Sequence, residues 1–208
     1  MDQDIQELAE AERLETGRDE LTNSIVTVSM LQIGLKFHAR SLQTRLTDLG
    51  LQADTTTPEG LFQLLQQTAT ALLDNSPHWT HVKAISQTVG TRETAEVLFN
   101  QLLFQERSKF SLETLANVNG QITQQSAPIA LGEPAYIVVT LLLGTADDQP
   151  LFNEIYSASV LRDVLEDITA MGPRYLMVLE ILWSPQTPTD SLTEADMAKE
   201  YSDMVPIA

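Results

Sequence analysis

The sequence contains no cysteine. That excludes disulfides, thiolate zinc sites, cysteine-held iron–sulfur clusters and a cysteine nucleophile. It fits a reducing compartment. Positive charge is scarce as well: 12 Lys and Arg stand against 29 Asp and Glu, a net charge of −17 over 208 residues. Duplex nucleic acid is therefore no expected partner, since binding it requires cations that displace counterions from phosphate. No polybasic segment is present to hold an anionic lipid surface. Long apolar runs are missing too. The longest, Ala135 to Leu143, is interrupted by Thr140 and has the length of a strand, against the roughly 20 residues of a membrane span. The first residues are acidic where a signal peptide is basic. The expectation is a chain with no export signal that does not insert into a membrane by itself. Glycine-rich phosphate loops, a G-x-S-x-G elbow and a dinucleotide fingerprint are also absent.

What is present alternates between β-rich and helical segments. Residues 1–23 form an acidic lead-in, with only Ile5, Leu8 and Leu14 as a thin apolar stripe. They read as a frayed helix or a disordered segment, or else as a docking helix. Ser24 to Phe37 reads as a strand packed mainly on one side. Ser41 to Leu51 has leucines at helical spacing and ends near Gly50. Thr57 is placed as an N-cap with Pro58 as the first helical residue, where its missing N–H costs nothing. Leu61, Leu64, Leu65, Thr68, Ala69 and Leu72 then form one stripe. His78 to Val89 reads as a second strand. Thr91 to Arg107 reads as an amphipathic helix with Ala95, Leu98, Phe99, Leu102 and Leu103 inward. A short helical piece is expected from Ser111 to Val118, and a polar linker over 121–133.

Pro134 to Leu143 is nearly all apolar and should be a central strand covered on both faces. A loop to Ser157 leads into a helix to Met171, with Val160, Leu161, Val164, Leu165 and Ile168 inward. Arg174 to Trp183 is a strong strand. Ser191 to Glu194 has the pattern of a capping box opening a short helix, before an acidic, loose end. Residues 24–120 and 134–208 thus echo one another, and Thr57, Leu61, Leu64 and Leu65 match Ser157, Leu161, Val164 and Leu165 in spacing. This pattern is either a duplication or the ordinary likeness of two capped amphipathic helices. The resulting expectation is a single α+β domain of two pseudo-repeated strand–helix–strand units. They would make a ferredoxin-like four-stranded sheet with helices packed on one face and right-handed crossovers. The alternative gives each half its own small sheet.

Few residues carry chemistry. His78 and His81 could ligate a metal on a helix but diverge on a strand, and no cysteine supports them. Asp147, Asp148, Asn153 and Glu154 lack the spacing and glycine of an EF-hand loop, and read as a turn. Trp183 reads as packing at a sheet end. Glu180 is the most informative charge, because it lies inside the apolar run from Leu176 to Trp183. It is either a general acid, base or ligand-recognition group, or a carboxylate paired with Lys36, Arg40 or Arg174 or lying on a wetter face. One carboxylate without a nucleophile or a second acid is not a mechanism. Glu106 to Phe110 is dense polar punctuation, read as a linker with a local salt bridge. No metal, cofactor or catalytic residue is assigned.

Several segments in order resemble a known family. They are Thr57-Pro58-Glu59-Gly60-Leu61, Glu106 to Phe110 with Glu113-Thr114-Leu115 and Asn117-Val118-Asn119, Tyr136 to Leu142, and Glu180 to Gln186. Together they resemble the domain of unknown function 1517 family over roughly residues 24 to 207. The resemblance implies a cyanobacterial or chloroplast protein, one chloroplast member being associated with acclimation of photosynthesis to fluctuating light. Typical members carry a targeting segment, a glycine-rich stretch and a transmembrane helix before this domain. This sequence starts at Met1 without them, so it is expected to be either a short soluble relative or the domain alone. The family has no established catalytic residues to carry over. The combined expectation is a non-enzymatic protein-interaction module that regulates or assists thylakoid complexes, cytoplasmic or stromal and peripheral to the thylakoid membrane. The alternative is a small-ligand binder or enzyme with a pocket near Glu180.

Overall fold

The computed structural model describes residues 20–109, 115–118, 121–124, 135–186 and 190–207. Its centre is β1 (Val26–Lys36) beside β5 (Tyr136–Thr145), antiparallel, with Leu31 opposite Leu141. β2 (Trp79–Val89) pairs with the other edge of β1, and β6 (Leu176–Ser184) with the other edge of β5. A short β7 (Val205–Pro206) adds to β2. The sheet is five-stranded, ordered β6-β5-β1-β2-β7, with every pairing antiparallel. A ferredoxin-like sheet needs parallel crossovers between non-neighbouring strands. Here each strand–helix–strand unit instead joins antiparallel neighbours, β1 to β2 and β5 to β6. Strands from both sequence halves share this one sheet, in place of one small sheet for each half.

Helices cover both faces, which corrects the expectation of one. On the first face lie α1 (Ser41–Gln52), α2 (Pro58–Asp74) and α4 (Ala158–Ala170), packed on Leu31, Ile33 and Leu35 of β1 and on Ile137, Val139, Leu141 and Leu143 of β5. Both expected caps form: the Thr57 hydroxyl accepts from Gly60 N at 3.1 Å, and the Ser157 hydroxyl from Val160 N at 3.3 Å. Val160 itself is exposed, because the buried stripe of α4 is Leu161, Val164, Leu165 and Ile168. On the second face α3 (Arg92–Lys109) sets Ala95, Phe99 and Leu102 against Val26, Val28, Met30 and Leu142. Further along, Met197 of α5 (Glu194–Glu200), Tyr201 and Met204 pack on Val138.

Coverage of both faces explains why β1 is buried from Val26 to Leu35 rather than on one side only. Its polar side chains stay because they are paired. The Thr27 hydroxyl meets that of Thr88 at 2.7 Å, and Ser29 meets Ser86 at 2.8 Å. Three other expectations change. Leu115–Val118 is a strand, β3, paired with β4 (Gln121–Gln124), rather than helix, and β4 falls in the expected linker. Residues 1–19, 110–114, 119–120, 125–134, 187–189 and 208 lie outside the described residues. The C-terminal cap is Thr193 with Asp196, two residues beyond the expected Ser191. The segment after it is anchored by buried Met197, Tyr201 and Met204 rather than loose.

Candidate functional site

Strand register lines up a polar row across the second face. Lys83 of β2 is opposite Gln32 of β1, and Gln32 is opposite Thr140 of β5. Gln32 and Thr140 are buried, in a region where a lone amide would be costly. The compensation comes from α3. Its inward stripe of Ala95, Phe99 and Leu102 continues one turn to Glu106, so the helix delivers a carboxylate onto the sheet. Glu106 is only 2% exposed. The Gln32 amide N–H donates to Glu106 Oε2 at 2.5 Å and to Thr140 Oγ1 at 3.0 Å. Lys109 Nζ, itself mostly buried, donates to Glu106 Oε1 at 2.9 Å and lies 4.6 Å from the Tyr201 ring centroid. Lys83 Nζ reaches Asp203 at 2.5 Å. Burial would raise the Asp203 carboxyl, but its hydrogen bond to Lys83 and the charges of Lys83 and Lys109 hold it below the ordinary value.

Two cations and two anions thus close a charge-balanced network between α3, the sheet and the C-terminal segment. Every charge in it is answered from within the fold. The local salt bridge expected within Glu106 to Phe110 is that of Glu106 with Lys109, but it lies at the end of α3 against the sheet rather than in a linker. The signal was available: Ala95, Phe99, Leu102 and Glu106 are spaced as one helical stripe.

Glu180 lies elsewhere. Its side chain is 33% exposed, and Arg107 Nη2 meets Glu180 Oε2 at 3.2 Å. The partner is thus Arg107 and none of Lys36, Arg40 or Arg174. Beside β6, on the first face, runs an open groove of about 500 Å³. Leu46 of α1 and Leu61 and Leu64 of α2 form one wall, and Leu179, Ile181 and Trp183 of β6 the other. Among the described residues along it Glu180 is the ionisable one, but its side chain turns to the second face, where Arg107 meets it. Trp183 therefore lines a groove as well as packing on the core.

The other candidates are used locally. The His78 ring stacks on His38 with centroids 6.4 Å apart, while His81 meets Tyr136 edge-on at 5.7 Å. Asp148 accepts two hydrogen bonds from Asn23, at 2.8 and 3.0 Å, and Glu154 accepts one from Tyr156. Among the described residues, no three His, Asp or Glu converge as a metal site would require. No described helix is long and apolar enough to cross a membrane.

His81 makes stability depend on pH. Burial lowers its pKa from 6.5, against the opposing charge of Glu194. The unfolded chain then binds the proton first as pH falls. This contribution is complete above 6.5 and is lost as pH drops towards the lower folded value. Urea titrations at mildly acidic and neutral pH should show a smaller acid-side loss for His81→Gln than for the wild type. Equal losses would remove His81 as the cause.

The family described as "Protein of unknown function (DUF1517)" matches residues 25–207. Protein FLAP1 homolog A of Synechocystis sp. is 33% identical over 189 residues, covering 86% of this chain and 56% of that protein. FLUCTUATING-LIGHT-ACCLIMATION protein 1, chloroplastic, of Arabidopsis thaliana is 33% identical over 184 residues, covering 87% of this chain and 46% of that protein. The chain therefore spans about half the length of the curated relatives it matches. No solved structure matches it significantly. With nearly the whole described sheet and both helical layers inside the matched range, the chain belongs to the DUF1517 family.

Proposed function

We propose that the chain is a non-enzymatic protein-interaction module that serves light acclimation of photosynthesis by regulating or assisting thylakoid complexes. In this reading it works from the cytoplasmic or stromal side, peripheral to the thylakoid membrane. One observation carries it: the buried carboxylate Glu106 is answered inside the fold by Lys109 and Gln32, while the open groove beside β6 is lined mostly by apolar side chains. A catalytic cleft would need convergent polar groups free to act on a substrate. The names of the Synechocystis and Arabidopsis relatives support the photosynthetic setting. The same reading treats 24–120 and 134–208 as halves of one domain related by duplication, linked through 121–133 and preceded by the lead-in 1–23.

The net charge of −17 makes docking sensitive to salt, since charge chiefly accelerates encounter with an oppositely charged partner. Immobilised protein incubated with thylakoid extract at low salt should retain a defined thylakoid protein and release it as salt is raised. Retention no greater than on a blank matrix would overturn the proposal.

A further inference from the structure

β6 is the last strand of its sheet, and among the described residues nothing pairs with its outer edge. An antiparallel edge strand presents alternate N–H and C=O groups that a further strand can satisfy. Natural edges are commonly protected by lysine, proline or a covering loop. Within β6, by contrast, Met177 and Val178 are 40% and 39% exposed, and no basic residue occurs from Leu176 to Ser184. The edge also borders the groove whose far wall is Leu46, Leu61 and Leu64. A strand laid along β6 would extend the sheet and turn its alternate side chains onto that wall. Trp183 lines the same groove with its indole N–H lacking a partner among the described residues.

Charge selects the occupant. Residues 46–64, which form the helical wall, contain Asp48, Asp54 and Glu59, all exposed, and no Lys, Arg or His. Two of the nearby cations are engaged, Arg45 with Asp74 at 3.4 Å and Arg107 with Glu180 at 3.2 Å, while Arg174 lies exposed two residues before β6. A second copy would bring the same acidic wall against itself, with −17 on each chain. We propose that the outer edge of β6 and the adjoining apolar groove bind an extended segment of a partner protein, apolar on alternate residues and basic on the others, by strand addition. This rests on the chain being an interaction module.

The test uses the whole chain and three synthetic peptides of about nine residues, the length of β6. One alternates Val and Lys, one alternates Val and Glu, and one is the Val–Lys peptide with N-methyl groups on the backbone edge that would pair. Binding is read from the tryptophan fluorescence and from backbone amide shifts. The Val–Lys peptide should bind at least about tenfold more tightly than either control, a difference of about 1.4 kcal/mol. The largest shifts should fall in β6. Val178→Lys, at a partly exposed site, should weaken binding while leaving the thermal midpoint nearly unchanged. Equal binding by the three peptides, shifts centred away from β6, no binding because the chain's own segments fill the groove, or dimerisation through β6 would each overturn the proposal. The thylakoid experiment is separable. A retained partner that Val178→Lys does not release leaves the module reading intact and removes this site. Peptide binding without any thylakoid partner does the reverse.

Discussion

Replacing Lys109 by Met should destabilise the protein by about 3 kcal/mol, far more than loss of a surface ion pair. Glu106 is 2% exposed, and among the described residues Lys109 and Gln32 satisfy its oxygens. Removing one partner of a buried pair strands a charge in a poorly solvated place, which typically costs about 3–5 kcal/mol. An exposed pair such as Arg45 with Asp74 is worth about 0–1 kcal/mol. Glu106→Gln should be milder, about 1 kcal/mol, because its amide oxygen can still accept from Gln32 and the Lys109 ammonium keeps the nearby charge of Asp203. The double variant Lys109→Met/Glu106→Gln should then lie close to Glu106→Gln alone, with a coupling of about 3 kcal/mol. Urea unfolding of the four proteins measures this cycle. A Lys109→Met cost below about 0.5 kcal/mol, within the surface range, would show that the network does not hold α3 to the sheet.

Gly60→Ala should also be strongly destabilising, although it lies in a helix where alanine is the better helix former by about 1 kcal/mol. A Cβ at Gly60 would lie 2.0 Å from the carbonyl oxygen of Asp54 and 2.9 Å from the Thr57 hydroxyl that caps the helix. The first contact is with backbone, so no rotamer change relieves it. The turn before α2 must move, and the cap with it, at a net cost of about 2 kcal/mol or more. Gly50→Ala in α1 is the control. Its Cβ would meet nothing within 4 Å, so stability should rise by about 0.5–1 kcal/mol. A thermal melt distinguishes the two by opposite shifts of the midpoint. A stabilised Gly60→Ala would mean that the close approach of Asp54 is not maintained.

The segments around these residues differ in how legible they were. Thr57, Pro58 and the leucine stripe of α2 could be read directly, because capping and helical periodicity act within a few residues. The same holds for β5, whose nearly continuous apolar run is satisfied by cover on two sides. The partner of Glu180 could not be read. Arg107 lies 73 residues away and reaches it only because α3 crosses the second face of the sheet. Glu106 stood on a visible stripe, yet its role depended on Gln32 and Thr140, which stand opposite each other only through strand register.

Local chemistry thus determined the kinds of segment, most of their limits, the acidity and the absence of thiol chemistry. These follow from neighbours within about one helical turn or from composition alone. Tertiary pairing decided the order β6-β5-β1-β2-β7, the placing of helices on both faces, the burial of Glu106 and the position of β6 at the end of the sheet beside a mostly apolar groove. Each of these depends on which strand lies next to which. Similar apolar stripes can satisfy several arrangements, and only the packed sheet selects one.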